Sequence, residues 1–292
     1  MKPLPGLGRL EEMTRRISRT HAVVPILLIL FTGVLTGWAE APKAAATYFN
    51  RRVARVEARL AQQHRSAEDF LDNVGLGNQI DDRLRQGELF IEQLTPANEA
   101  ELPGALLHHW RGTAFVPGAT ANDFERLMKD LGDYPHVYAP QVVRAQIVSL
   151  HGDRSADHFI AAMRVQQKHV ITVVMDTTYE VTHGRLHAQH RYSMSRSTKI
   201  AEIAGAGTPR ERVLGSDEEE GFLWRQNTYW SYEERDGGLY IQIESISLSR
   251  GIPAGLGWVI RPFVESVPRE SLEFTLRATC RALENSQRSV RK

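Results

Sequence analysis

The sequence predicts an α+β fold in which a curved antiparallel sheet wraps around one long C-terminal helix, preceded by N-terminal helices. Residues 266–284 carry small or apolar side chains at helical spacing on one side, namely Leu272, Leu276, Thr279, Cys280 and Leu283. Strand-like segments with period-two alternation occupy much of residues 106–249. Because those strands have no partner sheet of comparable length, we expect them to form one sheet around this helix.

The expected start of this helix follows from capping rules. Ser266 is expected to accept from the first free amides, and Pro268 to lie in the first turn, where no donor is missed. Phe274 lies off the apolar stripe and is expected to touch a second element or a ligand.

The composition is that of a globular protein with a core of ordinary size, since 42% of residues are hydrophobic and 24% are charged. A net charge of +1 favours neither a nucleic acid nor a strongly charged partner. The single cysteine, Cys280, excludes an internal disulfide. Its place on the apolar helix face indicates a small buried residue rather than a nucleophile.

The N-terminus resembles an export signal. A basic segment precedes residues 22–39, which carry no charge. Ala39 and Ala41 have the spacing that a signal peptidase needs; because Pro42 is a poor residue immediately after such a site, cleavage near residues 44–46 is the alternative. An uncleaved anchor in the inner membrane and a buried helix are the alternatives. We expect the rest of the chain to be exported, as a periplasmic or secreted protein.

Residues 44–64 are expected to form a helix with a thin apolar stripe and many arginines, packed on the main domain or near a membrane. Ser66 is expected to start a short second helix that ends near Gly75. A strand is expected at residues 89–94. We divide the chain into residues 1–43 (signal or anchor), 44–104 (helical extension and linker) and 105–287 (main domain).

The main domain is expected to open with a strand over residues 106–116. Thr120 and Asp123 form a capping box for a helix containing Phe124, which Gly132 is expected to close in a left-handed cap. Strands are expected at residues 142–150, 158–168, 170–181 and 185–200, with a turn at residues 182–184. Polar outer positions predict that only one face of the sheet is covered.

The hairpin of residues 222–235 and 239–249 has a predictable register. If Asp236-Gly237 is the loop, Arg235 pairs with Gly238 and Trp230 with Ile243. One face then holds Trp224, Gln226, Thr228, Trp230, Tyr232, Ile241, Ile243, Ser245 and Ser247. The other holds Arg225, Asn227, Tyr229, Ser231, Glu233, Gln242 and Glu244.

The first face is apolar at one end and carries uncharged hydrogen-bonding groups at the other. We interpret it as the wall of a partly wet cavity; the alternative is that these groups lie at a sheet edge or bond to the C-terminal helix. Residues 251–257 are a candidate hinge for a lid. The residues assigned to the cavity are Trp224, Gln226, Thr228, Trp230, Tyr232, Ile243, Ser245, Tyr179, Met175, Phe263 and Phe274.

The order of these elements resembles the START-like (SRPBCC) superfamily, especially its coenzyme Q-binding and polyketide cyclase branch. The resemblance depends on residues 130–140, where an aspartate and a short turn lead to Tyr134-Pro135 and a second proline, Pro140. It covers residues 105–285, and residues 221–283 resemble exported bacterial members. It implies the helix-grip fold, with a lipid, isoprenoid quinone or polyketide-like ligand between the sheet and the last helix.

No motif for catalysis, a metal or a cofactor is present. The sequence lacks a phosphate-binding glycine loop, a Gly-x-Ser-x-Gly elbow and a His-Glu-x-x-His helix. Our first hypothesis is a carrier or sensor of a hydrophobic molecule that needs no cofactor. The second is a cyclase or hydrolase, which an inward cluster of His190, Tyr179 and Tyr192 would favour. The third is an interaction module whose cavity is filled by side chains.

Overall fold

The computed structural model describes residues 40–72, 79–95, 100–150, 157–168, 172–252 and 257–290. Side chains are described throughout these ranges except at residues 257–265 and 289–290. The predicted signal or anchor at residues 22–39 and most of the predicted hinge lie outside the described residues. Among the helices that are described, none combines the length and the hydropathy needed to cross a membrane.

The described residues form one antiparallel sheet of ten strands at the centre of the fold. Eight strands follow the order β1-β3-β10-β9-β7-β6-β5-β4, while β2 pairs with β3 and β8 with β7. The strands are β1 Phe90–Gln93, β2 Glu101–Leu102, β3 Ala105–Pro117, β4 Val142–Leu150, β5 His158–Lys168, β6 Thr172–His187, β7 His190–Ala204, β8 Arg212–Val213, β9 Arg225–Arg235 and β10 Gly238–Arg250.

In the part of the chain that the structure describes, five helices accompany the sheet: α1 Lys43–Gln63, α2 Gln79–Arg85, α3 Ala121–Lys129, α4 Tyr134–Val137 and α5 Gly257–Val290. The predicted capping box is present, because Thr120 Oγ1 accepts from the Asp123 amide and the Asp123 carboxylate accepts from the Thr120 amide. The helix-grip arrangement expected from the sequence is therefore the observed fold, with α5 on the inner face of the sheet.

The inner core joins α5 to the middle of the sheet. Leu272 and Leu276 pack in one apolar cluster with Trp230, Tyr232 and Ile243. Gly112 of β3 permits this close approach, since a Cβ there would lie 2.5 Å from both Leu272 Cδ2 and Leu276 Cδ1. The predicted inner side of the C-terminal helix is thus confirmed.

The outer face of the sheet is covered as well, which corrects the expectation of a single covered face. Phe49, Val56 and Leu60 of α1 pack against Leu107 and Ile246, so the predicted packing of residues 44–64 on the main domain is confirmed. The outer positions of β3 and β10 are apolar at this end and therefore need a cover.

Hydrogen bonds join the N-terminal segment to the sheet. Strand β1 pairs with β3 in the register Ile91 to Gly112. The predicted division at residue 105 stays a prediction, although β1 precedes it and belongs to the same sheet as the strands that follow.

Two predicted helix boundaries are wrong. Helix α5 begins at Gly257, so Ser266 and Pro268 lie inside it. A proline inside a helix removes one hydrogen bond, and its position alone does not fix where the helix starts. Gly132 has no positive φ and belongs to a 3-10 turn after α3.

The segment after α1 also differs from the expectation. Ser66 Oγ accepts from the Asp69 amide at 3.4 Å, as a cap would, yet residues 66–72 form turns rather than a helix. One helical turn is too short to nucleate without further support. Helix α2 was not predicted.

The turn between β6 and β7 lies at Ala188 and Gln189, and not at residues 182–184. Gly184 is a strand residue opposite Tyr192. A Cβ at Gly184 would lie 2.2 Å from Tyr192 Cζ, so glycine is required here for a ring above the strand rather than for a turn. Because the turn was expected too early in the chain, the predicted pairing of residues between β6 and β7 was shifted.

Candidate functional site

The inner face of the sheet is closely packed at one end. Trp230 and Tyr232 contact Phe124 of α3, with ring centroids 5.2 and 4.4 Å apart. Ile243 lies beside them and is 4% exposed. These three residues were assigned to the cavity from the sequence, and the structure places them in the core that seats α3 and α5.

The other end of the same face is polar and half-buried. The predicted hairpin register is confirmed, with Thr228 opposite Ser245 and Gln226 opposite Ser247. All four side chains keep some accessible surface, although their strands are central and α5 crosses this side of the sheet. This polar patch is the candidate site.

Neighbouring strands contribute residues that sequence reasoning missed. Across β10, Trp110 pairs with Ser245 and His108 with Ser247. Across β9, Ser195 of β7 pairs with Thr228. The signal that could have found them is the same alternation, once β3 and β7 are known to flank the hairpin.

Two predicted site residues from distant parts of the chain meet here. The Tyr179 hydroxyl donates to Gln226 Oε1 at 3.1 Å, and Ser197 Oγ accepts from the backbone N–H of Gln226 at 2.9 Å. Burial raises the pKa of Tyr179 to about 12, so the phenol keeps its proton and remains the donor. The hydrogen bond from Tyr179 fixes the orientation of the Gln226 side chain.

Three further predicted residues have mixed outcomes. Met175 is 5% exposed and lies opposite Val165 at the edge of the inner face. Phe274 is half-buried against the inner core. The side chain of Phe263 lies outside the described residues.

Trp224 is not where the alternation predicted it. It precedes β9 and packs against the apolar cluster under α1, on the other side of the sheet. Alternation does not hold before the first strand residue, because the backbone there is not extended within the sheet.

The acid–base cluster that would favour the enzyme hypothesis does not form. Tyr179 lies on the inner face opposite Ser197, while His190 lies opposite His187 at the hairpin end of β7. Tyr192 stacks on His64, with centroids 4.1 Å apart, in the segment that follows α1. Within the described ranges, no group of three or more His, Cys, Asp and Glu side chains could hold a metal ion.

Comparisons with known proteins give fold-level likeness only. No family model matches the chain, and no curated protein matches it. A START superfamily protein from Mycobacterium smegmatis is 12% identical, with a TM-score of 0.39, over 63% of this chain and 99% of that one.

Two further solved structures show likeness at the same level. The Zhui aromatase/cyclase from Streptomyces sp. R1128 is 12% identical, with a TM-score of 0.41, over 61% of this chain and 94% of that one. A STAR-related lipid transfer protein from Xanthomonas axonopodis is 13% identical, with a TM-score of 0.39, over 66% of this chain and 98% of that one.

These structures thus include a START superfamily protein and an aromatase/cyclase. The helix-grip fold itself is established by the strand order and by α5. Fold and site together define a protein of the helix-grip fold with a polar patch on the inner face of its sheet.

Proposed function

We propose that this protein binds a hydrophobic small molecule between the inner face of the sheet and α5, as a carrier or sensor. The single observation that carries the proposal is the half-buried row of Gln226, Thr228, Ser245 and Ser247, which continues a face that is otherwise core. Burial of apolar ligand surface supplies about 25 cal/mol per Å2, and a few polar groups fix the orientation of the ligand.

The ligand class that we propose is a lipid, an isoprenoid quinone or a polyketide-like molecule, as the START-like resemblance implies. We further propose that the protein works outside the cytoplasm, because residues 22–39 are uncharged and follow a basic segment. Contact with a membrane surface is part of this proposal, since a carrier of such molecules exchanges them with lipid.

The enzyme hypothesis depended on an inward cluster of His190, Tyr179 and Tyr192. Tyr179 lies on the inner face of the sheet, whereas His190 and Tyr192 lie on the other face, and the observation that would have favoured a cyclase or hydrolase is therefore missing. Binding without chemistry is the function that we propose.

Native mass spectrometry of gently extracted protein tests this proposal. We expect a co-purified apolar molecule on the wild-type chain and its loss in Ser245→Trp, where the indole fills the polar patch. Thr198→Trp is the matched control, since Thr198 is exposed at a bulge of β7. A wild-type chain that carries no ligand and binds no apolar fluorophore such as N-phenylnaphthylamine would overturn the proposal.

A further inference from the structure

Charged side chains on the central strands lie on the outer face of the sheet. Strand β10 places Glu244 outward and Ser245 inward, and β7 places Arg196 outward between Ser195 and Ser197. Arg164 and Asp176 face each other on the outer side of β5 and β6. The inner positions between these charges are occupied by neutral residues.

Other charged residues of the sheet do point inward, and the two buried ones, Arg191 and Glu202, are saturated by the protein itself. Glu234 accepts from the Ala121 amide at 3.1 Å, and Arg185 is exposed to solvent. Arg191 donates to Asn122 Oδ1 and to the Ala188 carbonyl at 2.7 and 2.8 Å, and it pairs with Glu125. Glu202 accepts from the amides of Glu220 and Phe222, both at 2.9 Å. Neither group has spare capacity for a charged ligand.

The inward histidines add no charge at neutral pH. Burial lowers the pKa of His108 to about 4. Burial and the nearby Lys129 charge lower the pKa of His183 to about 4 as well. On the facing side, Leu272, Leu276 and Thr279 of α5 are buried, while Arg269 and Glu270 are exposed.

The polar patch also has a preset donor. The Tyr179 hydroxyl donates to Gln226 Oε1, so the two hydrogens on Gln226 Nε2 remain available as donors. Among the described residues, Nε2 has no hydrogen-bond partner, and the side chain is half-buried. An N–H at such a site is satisfied best by an oxygen acceptor on the ligand.

We propose that the ligand is uncharged and carries an oxygen acceptor, such as a carbonyl, that binds the side-chain amide of Gln226. Tyr179 is the positioning residue, because its hydroxyl turns the amide donor towards the ligand. This inference rests on the proposed function and narrows the ligand from any hydrophobic molecule to a neutral, acceptor-bearing one. An unpaired ion in this neutral wall would lose its hydration without compensation.

Four matched probes test the inference on the full chain by displacement of N-phenylnaphthylamine: methyl decanoate, decane, decanoate and decylammonium. We expect methyl decanoate to bind at least about tenfold more tightly than either ion, a difference of about 1.4 kcal/mol. Decane should bind more weakly than the ester, because it leaves the Gln226 donor unpaired.

Variants separate recognition from folding. Gln226→Leu should remove the preference for the ester over decane, and Gln226→Glu should favour decylammonium, a reversal that a structural role for Gln226 would not produce. Tyr179→Phe should weaken ester binding and leave decane binding unchanged. Gln146→Leu, on the exposed strand β4, is the control and should behave as the wild type.

The outcomes distinguish a failure of this inference from a failure of the proposed function. If decanoate or decylammonium competes as well as the ester, the ligand need not be neutral and this inference is wrong, while the proposed function stands. If the ester keeps its advantage in Gln226→Leu, the amide is not the donor. If neither the fluorophore nor any probe binds, the proposed function fails, and the inference fails with it.

Discussion

Glu244 lies at the centre of a group of charged side chains buried between α1 and the outer face of the sheet. Its carboxylate is 3% exposed and accepts from Arg59 at 2.5 and 2.6 Å, and from His109 Nε2 at 2.7 Å. Burial alone would raise the pKa of Glu244, but the His109 hydrogen bond and the charges of Arg59 and Arg111 lower it to about 2. Without Glu244, Arg59 keeps Asp72 as a partner and Arg111 keeps Asp72 and Glu92, but the buried centre of the group loses its anion.

We expect Glu244→Gln to lower the free energy of unfolding at neutral pH by about 3 kcal/mol, because it removes the buried anion that Arg59 and Arg111 share. Urea denaturation measures this. The exposed pair of Glu273 and Arg277 provides the control, and Glu273→Gln should change stability by less than about 0.5 kcal/mol.

The same carboxylate predicts a pH dependence. Because the folded-state pKa of Glu244 is depressed, its stabilisation is present above the unfolded value of 4.5 and is lost as the pH falls towards about 2. Denaturation series at several pH values should show a steeper acid loss in the wild type than in Glu244→Gln. Parallel pH profiles for the two proteins would contradict this assignment.

At the scale of elements, α5 is held by a close approach to β3 and by one buried hydrogen bond. Gly112 lies beneath Leu272 and Leu276, which are 4% and 0% exposed. Tyr138, which follows α4, meets Thr279 with 3.0 Å between their hydroxyl oxygens. These contacts set the distance of the helix from the sheet.

We expect Gly112→Ala to destabilise the protein by about 1–3 kcal/mol, because the added methyl group displaces two buried leucines. Thermal or urea unfolding measures the change. Gly132→Ala is the matched control, since its nearest neighbour would be 3.5 Å away at Asp130 Oδ1. Equal stability of the two variants would show that α5 moves away from β3 at little cost.

Thr279→Val should cost about 1–2 kcal/mol, because the near-isosteric change leaves the buried Tyr138 hydroxyl without its partner. Thr275→Val is the comparison, since Thr275 is half-buried and its hydroxyl bonds only to the Ser271 carbonyl among the described residues. A Tyr138→Phe, Thr279→Val double mutant should recover part of the loss.

At the scale of the whole molecule, some strands of the sheet are paired and covered by neighbouring elements while others are exposed. Strands β3, β9 and β10 are paired on both sides, and helices cover both faces of this part. Strand β4 ends the strand order, and Val143, Val148 and Leu150 are exposed on it. Stability against local opening should follow this difference.

Hydrogen exchange measured by mass spectrometry should therefore be at least about tenfold slower in β9 and β10 than in β4. The experiment needs two protein concentrations, since exposed strand edges pair between molecules and become protected. Equal protection of β4 and β9 in dilute protein would contradict the assignment of β4 as a free edge.

Local rules predicted a large part of this fold. The register of β9 and β10 followed from Asp236 and Gly237, which take φ values of 55° and 72° as a tight hairpin requires. The same reasoning failed at Gly184. Glycine is needed there to leave room for the Tyr192 ring on the next strand, and the neighbouring residues in the chain do not show this.

The candidate site was only partly predictable for the same reason. Alternation along one hairpin found Gln226, Thr228 and Ser245 without knowledge of the strands beside them. It placed Trp230 and Tyr232 in the cavity because it contained no information about α3, which packs on them.

The sequence by itself determined the inner side of the C-terminal helix, the capping box at Thr120 and the pairing of the last two strands. Each depends on residues close together in the chain, where spacing and backbone preference suffice. Only the tertiary structure decided that α1 covers the outer face and that Tyr179 orients Gln226, since these contacts depend on how distant elements pack.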